Sequence, residues 1–265
     1  MMNMIRADMY RIIRGKGMYI TFAVLIVLNI LVIGQGLHVG INYGYMQDSV
    51  GVEAPNLYNS WHSAATVLYN NMNSIIFFLL PIVIMSAGAM FANRTVKNDI
   101  AWGMSRTRLY LSKLLLAVGL SVILVVFYML SGMIIAIILR GFDGSVPSGY
   151  WQNLFQTVGS QLLVMLGATS LGIFMVFTFK RSSAVIAAYI ALCLIPSMII
   201  MMLSETVAPG IIRLMDFDLM FSIVRLGSFS QLDTHVILSA LGVGAAYIAV
   251  CTIGGIALFK RAEIK

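Results

Sequence analysis

Residues 93–113, NRTVKNDIAWGMSRTRLYLSK, decide how the rest of the chain is read, because they form a charged island between two long apolar runs. The stretch holds five of the seventeen Lys and Arg residues: Arg94, Lys97, Arg106, Arg108 and Lys113. Basic residues flanking apolar runs collect on the cytoplasmic face of a membrane, and the stretch is assigned to that face. Its centre, Asp99-Ile100-Ala101-Trp102-Gly103-Met104, mixes apolar and polar side chains. Two readings fit. One is a small helix docked on a partner protein with Trp102 as a buried anchor. The other is a solvated basic loop whose Trp102 rests among lipid headgroups.

Working outward, the 265-residue chain is 60% hydrophobic and 10% charged, with mean hydropathy +0.94. Soluble domains carry about 25% charged residues. The composition therefore predicts an all-α integral membrane protein, one transmembrane domain over 1–265. Six apolar runs, near 18–37, 74–92, 114–139, 160–179, 182–203 and 236–259, each supply the roughly 20 residues that a spanning helix needs. The net charge of +7 is dispersed at the ends of these runs and makes no nucleic-acid patch. The first run is long for a cleavable signal and is read as an anchor.

Orientation follows from the connections. Fourteen of the seventeen basic residues fall at the N-terminus, in 93–113, at Lys180-Arg181 and at the C-terminus; only Arg140, Arg213 and Arg225 fall in the alternate connections. An even number of spans with that split predicts both termini in the cytoplasm. Ahead of the first span, residues 1–17 read as a surface helix and its link to the span. Met1, Met2, Ile5, Met9, Ile12 and Ile13 share one side; Asn3, Arg6, Ala7, Tyr10, Arg11 and Arg14 take the other; Met4 and Asp8 lie near one border.

The outer connections differ from one another. Residues 37–73 contain no Lys or Arg but include Tyr43, Tyr45, Tyr58, Trp61 and Tyr69, aromatics expected at the membrane boundary. Tyr150-Trp151 is expected to mark the next return to that boundary. Residues 204–235 contain Pro209-Gly210 and then IIRLMDFDLMFSIVRL, too polar to span and too apolar for a free loop. They are read as a short re-entrant or interfacial helix. Small-residue pairs such as Gly88/Ala92, Ala168/Gly172 and Gly242/Ala246 permit close helix contact. Pro81 and Pro196 can bend their spans.

The chemistry missing from the spans is also informative. None of the six proposed runs contains Asp, Glu, Lys, Arg or His, which argues against an ion-driven carrier. His38, His62 and His235 are isolated from any HExxH pattern. The sole Gly-Lys pair, Gly15-Lys16, precedes Gly17 and not Ser or Thr, so no phosphate-binding loop is present. No metal site or catalytic constellation emerges. Cys193 and Cys251 read as small core residues, and Met198, Met201 and Met202, though thioethers suit copper(I), as core packing. Any active work must draw its energy from another polypeptide.

The layout resembles a permease subunit of the type-2 ABC exporter family. Thr95-Val96-Lys97-Asn98 and then Ser105-Arg106-Thr107 with Lys113 are similar to that family's Gly-Thr-x-Lys stretch and its Ser-Arg-Thr-x-x-x-x-x-Lys run before span three. Leu258-Phe259-Lys260-Arg261-Ala262-Glu263 resembles its Phe-x-x-x-Asp/Glu tail. Where many members carry an acidic residue and Gly before the Thr, this chain has Asn93 and Arg94. The resemblance implies a coupling helix between spans two and three, within 95–104, fitted into a cleft of a separate ATPase that binds ATP and Mg. Ile100 and Trp102 would be its packing contacts and Asp99 and Arg106 its polar ones, with Lys97, Asn98, Met104 and Ser105 beside them. The surface helix, with Arg6, Arg11 and Arg14, would also touch the ATPase.

The expected protein is a non-enzymatic half-transporter in a bacterial plasma membrane. It would pair with a second permease copy or close relative and two ATPase subunits. Its cargo would be a hydrophobic or amphipathic solute: an antimicrobial or signalling peptide first, a lipid or drug next. The competing expectation is a membrane scaffold or sensor that binds a cytosolic partner and transports nothing.

Overall fold

The computed structural model describes residues 2–35, 60–93, 95–101, 103–142, 144, 146–228 and 234–261. Their regular elements are all helical. α1 (Met2–Arg14) bends at Gly15 into α2 (Lys16–Gln35). α3 (Trp61–Asn70), a 3-10 turn (Met72–Ser74), α4 (Ile75–Val83), a π-helical turn (Ile84–Gly88) and α5 (Ala89–Ala92) follow. α6 (Val96–Ala101) precedes the long α7 (Arg106–Arg140), α8 (Tyr150–Phe179) and α9 (Ser182–Thr206). A 3-10 helix (Pro209–Phe217), α10 (Leu219–Ser228) and α11 (Thr234–Arg261) complete the order. Among the described residues six helical stretches are long and apolar enough to cross a membrane, in agreement with the six expected runs.

Local chemistry explains several boundaries. The Ser105 hydroxyl accepts the Arg108 N–H at 3.4 Å and starts α7, eight residues earlier than the apolar run alone predicts. Gly141, at φ 77°, ends it in a conformation that other residues rarely adopt. α3 is a helix that the sequence reading leaves as loop. Ser60 and Ser63 cap it reciprocally, each hydroxyl accepting the other's backbone N–H. It carries Trp61 and Tyr69 into the bundle, where they are 2% and 4% exposed, and Trp61 packs on Phe142 and Tyr150 at the ends of α7 and α8. Tyr43, Tyr45 and Tyr58 lie outside the described residues.

α8 is the central helix. Of its most apolar stretch 67% is buried, against 22% for α9 and 28% for α2, α7 and α11. Its approach to α11 is set by glycine: a Cβ on Gly244 would stand 2.8 Å from the Leu163 carbonyl oxygen, so the backbones nearly touch. The expected contact at Gly242 is absent, with nothing within 4 Å of that position, and the close approach falls two residues later. Gly172 does pack tightly, its Cβ position lying 2.9 Å from a Val83 methyl.

Polarity runs opposite to that of a water-soluble bundle. The buried stripe of α9 is Val185, Tyr189, Cys193, Ser197 and Ser204, while Ile190, Ile195, Met198, Ile199 and Met202 face outward. The polar atoms find partners inside, and the apolar ones suit lipid. Met198 and Met202, expected in the core, are each 68% exposed on that outer face. Cross-helix bonds use the same logic. Tyr110 donates to Cys251 O (2.9 Å), Tyr189 to Ile76 O (3.0 Å), and the fully buried Asn29 amide to Ser131 Oγ (2.9 Å).

Candidate functional site

Four contacts bring α1, 95–106 and the end of α11 to one end of the bundle. Thr95 N–H donates to Met90 O (3.0 Å), Lys113 meets Asp8, and the Arg106 guanidinium donates to Phe259 O (3.0 Å) and Lys260 O (2.8 Å). Beneath them Phe177 stacks its ring edges against Phe91, Tyr110 and Phe259, with centroids 4.8–5.4 Å apart. That aromatic floor is drawn from α5, α7, α8 and α11, and it makes this end stiff.

α6 rests on this floor. Val96 is 4% exposed, and Ile100 and Met104 are half-buried against the core. Lys97 points to the exterior, and Asp99 is half-buried. Gly103, at φ 82°, donates its N–H to Ile100 O at 2.9 Å and turns the chain from α6 toward the Ser105 cap. Trp102 and Arg94 lie outside the described residues, as does the side chain of Asn98.

A charged cluster joins α1 to α7 close to α6. Asp8 of α1 is 9% exposed and is held by Lys113 at 2.5 Å and by Arg11 at 3.2 Å. Lys113 is itself buried, seven residues into α7, about 10 Å along that helix. Burial lifts the Asp99 carboxyl above the usual carboxylate range. The ammonium of Lys113 opposes that rise, the charge of Asp8 adds to it, and Arg11 opposes it again, so all four groups sense one another. A hydroxyl-to-thioether contact from Ser112 to Met4 (3.6 Å) adds a second tie between α7 and α1.

The structure redraws two expectations here. α1 turns Met4, Ile5, Asp8, Met9 and Ile12 toward the bundle and leaves Ile13 47% exposed. The inward face is thus rotated from the apolar stripe toward Asp8, because the ion pair with Lys113 lies there. Arg6, Arg11 and Arg14 are exposed, and Arg14 stands 4.4 Å over the Tyr10 ring. Arg106 is turned to the last turn of α11, where it occupies carbonyls that helix geometry leaves without partners. Sequence reasoning named Lys113 as a motif lysine and Asp8 at the border of α1 but missed that the two pair. The available signal was an acid at the polar border of α1, three residues before Arg11.

These features define an integral, multi-pass membrane protein in which an amphipathic helix is ion-paired to the start of the helix that forms the third span. The chain belongs to the family of ABC-2 transporter proteins, whose pattern it matches over residues 4–198. It is a permease-type transport subunit, and the family implies association with ABC ATPase subunits. No curated protein matches it significantly.

Proposed function

We propose that this permease works as a half-transporter in a bacterial plasma membrane, with both termini in the cytoplasm. α6 is the coupling helix, seated in the cleft of a partner ATPase. The reading is supported by one observation: the ion pairs of Asp8 with Lys113 and Arg11 tie α1 to α7 at the bundle end that holds most of the basic residues, with Asp99 of α6 within their electrostatic reach. A lever is useful only if it is rigidly attached to what it moves. Here a push on α1 is delivered through the buried ion pair to the first two turns of α7, and one on the α6–α7 turn through Arg106 to the end of α11.

Ile100 and Trp102 supply the packing contacts with the ATPase, and Lys97, Asn98 and Asp99 the polar ones. Arg6, Arg11 and Arg14 extend the same docking face along α1. Two permease chains, identical or closely related, and two ATPases make the working particle. The expected apolar runs, which lack Asp, Glu, Lys, Arg and His, suit a greasy or amphipathic cargo, with a peptide of antimicrobial or signalling type placed before a lipid or drug.

The test is co-purification with the ATPase followed by vesicle transport and hydrolysis assays on Asp99→Ala and Trp102→Ala. Both variants are expected to assemble and to hydrolyse ATP while transporting less, by roughly tenfold for a contact of about 1.4 kcal/mol. Normal transport and hydrolysis in both would remove α6 from the coupling role and favour the scaffold or sensor reading.

A further inference from the structure

Beneath α1 the bundle leaves a groove that the coupling reading does not use. Ile12 of α1 roofs it, and Thr21 of α2 with Leu120 and Leu124 of α7 make its buried floor. Met18 and Phe22 of α2 and Met85 of the π-helical turn also line it, and these three are partly exposed, so the groove opens between α2 and that turn. Counting its mouth, the empty space is about 240 Å³. Met85 acts as a flap. Its sulfur lies across Gly17, where a Cβ would stand 2.8 Å from it. A thioether chain has three rotatable bonds, so moving it aside widens the groove without moving the backbone.

Three positions fix the depth of the groove. Along α2, Met18 and Phe22 lie about 3 and 9 Å beyond Lys16. Along α7, Leu120 and Leu124 lie about 10 and 16 Å beyond Lys113, the last charge before the apolar run. One leaflet of hydrocarbon is about 15 Å thick. The mouth therefore opens among the acyl chains of the leaflet on the α1 side.

The walls select what can enter. Thr21 is the one polar side chain among the lining residues, and its hydroxyl already donates to Gly17 O at 2.9 Å. Hydrocarbon and thioether surface remain, which suit an alkyl chain and would leave the amides of a peptide buried without partners. Charge selects the other end. Arg14 and Lys16, both exposed, flank the Gly15 bend where α1 passes into α2, at the polar edge of the leaflet. The acid of α1, Asp8, is committed to Lys113 and Arg11. Exposed cations above a groove for acyl chains complement an anionic headgroup.

We propose that this groove binds an anionic phospholipid, with one acyl chain under Ile12 against Leu120 and Leu124 and the phosphate at Arg14 and Lys16. The lipid ties the surface helix to the first three spans from below, as the Asp8–Lys113 pair ties it from above. The inference needs α2 and α7 to cross the membrane and does not depend on α6 being a coupling helix.

The test uses the full-length protein in phosphatidylcholine vesicles with a trace of photoactivatable lipid, either phosphatidylglycerol or phosphatidylcholine, carrying a diazirine in mid-chain. After irradiation the adducts are mapped by peptide mass spectrometry. Leu124 is 0% exposed, whereas Ile20, Val24 and Val27 are 61%, 46% and 55% exposed on the outer face of α2, so bulk lipid labels those three with either headgroup. Adducts over residues 120–124 are expected from the phosphatidylglycerol probe, roughly fivefold or more above the phosphatidylcholine probe. Lys16→Gln is expected to lower that ratio roughly fivefold, the weight of one basic residue at an anionic surface. Thr21→Phe, which fills the floor, is expected to abolish the 120–124 adducts and leave those on the outer face of α2 unchanged.

The outer-face adducts report that each variant is folded and inserted, and Lys16→Gln changes an exposed side chain, so it tests the site even where Thr21→Phe does not fold. Absence of adducts over 120–124, equal labelling by the two probes, or a ratio unmoved by Lys16→Gln would overturn the site. Groove labelling that is present in the monomer and lost in a cross-linked pair of permease chains would assign the groove to a second copy and also overturn it.

Discussion

Asp8 and Asp218 are buried to nearly the same degree, 9% and 6% exposed, and are held in opposite ways. Asp8 has two cations within reach, Lys113 at 2.5 Å and Arg11 at 3.2 Å. Asp218 has a hydroxyl and a backbone N–H. A carboxylate withdrawn from water needs either a counter-charge or a proton. The first region supplies the counter-charge; in the second, burial raises the Asp218 carboxyl above its ordinary range and the hydrogen bonds offset part of the rise. The end carrying α1 is salt-linked to α7, whereas the 209–228 segment holds its acid by hydrogen bonds alone among the described residues.

The largest expected effect breaks the joint. Lys113→Ala leaves Asp8 buried with only the half-exposed Arg11, and Asp8→Ala leaves the Lys113 ammonium buried with no partner in the ion pair. Each should cost about 3–5 kcal/mol, read as a lower unfolding midpoint in detergent. The double variant should cost less than the sum of the two singles, and strict additivity would show that the pair is not coupled.

Next comes the matching change on the other side of the comparison. Asp218→Asn should be neutral in thermal stability at acid pH and should become progressively more stable than the parent as pH rises, because only the parent must ionise a buried group. A variant that is equally destabilised at every pH would make Asp218 an ordinary cap. A smaller effect is expected from Arg106→Ala, which frees the Phe259 and Lys260 carbonyls at a partly exposed site. About 1 kcal/mol, seen as faster hydrogen exchange over the last turn of α11, is the expected loss. Smallest of all, Arg6→Ala and Arg14→Ala should leave the melting profile unchanged, since both side chains are exposed, while lowering ATPase stimulation by the permease.

How much of this could be read in advance depends on which physical term was in charge. A helix within 95–104 was one of two readings of the charged island and was expected only through the family resemblance; α6 covers Val96–Ala101. Arg106 was legible as important but not in its role, since its partners are carbonyls 153 and 154 residues away. That Trp61 and Tyr69 belong to a buried helix was not legible for a similar reason: only the cap at Ser60 and the packing of α3 against α7 show it.

The sequence by itself determined the membrane class, the six spans, the asymmetric charge of the two ends and the place of the loop that joins spans two and three. Hydropathy and basic residues act over one helix length, so no distant contact is needed to read them. Only the tertiary structure decided that Asp8 meets Lys113, that α8 and α11 touch at Gly244, and that an acid assigned to a connection lies against the middle of α9. Each depends on residues far apart in the chain brought within hydrogen-bond or van der Waals reach, and composition and periodicity carry no term for that.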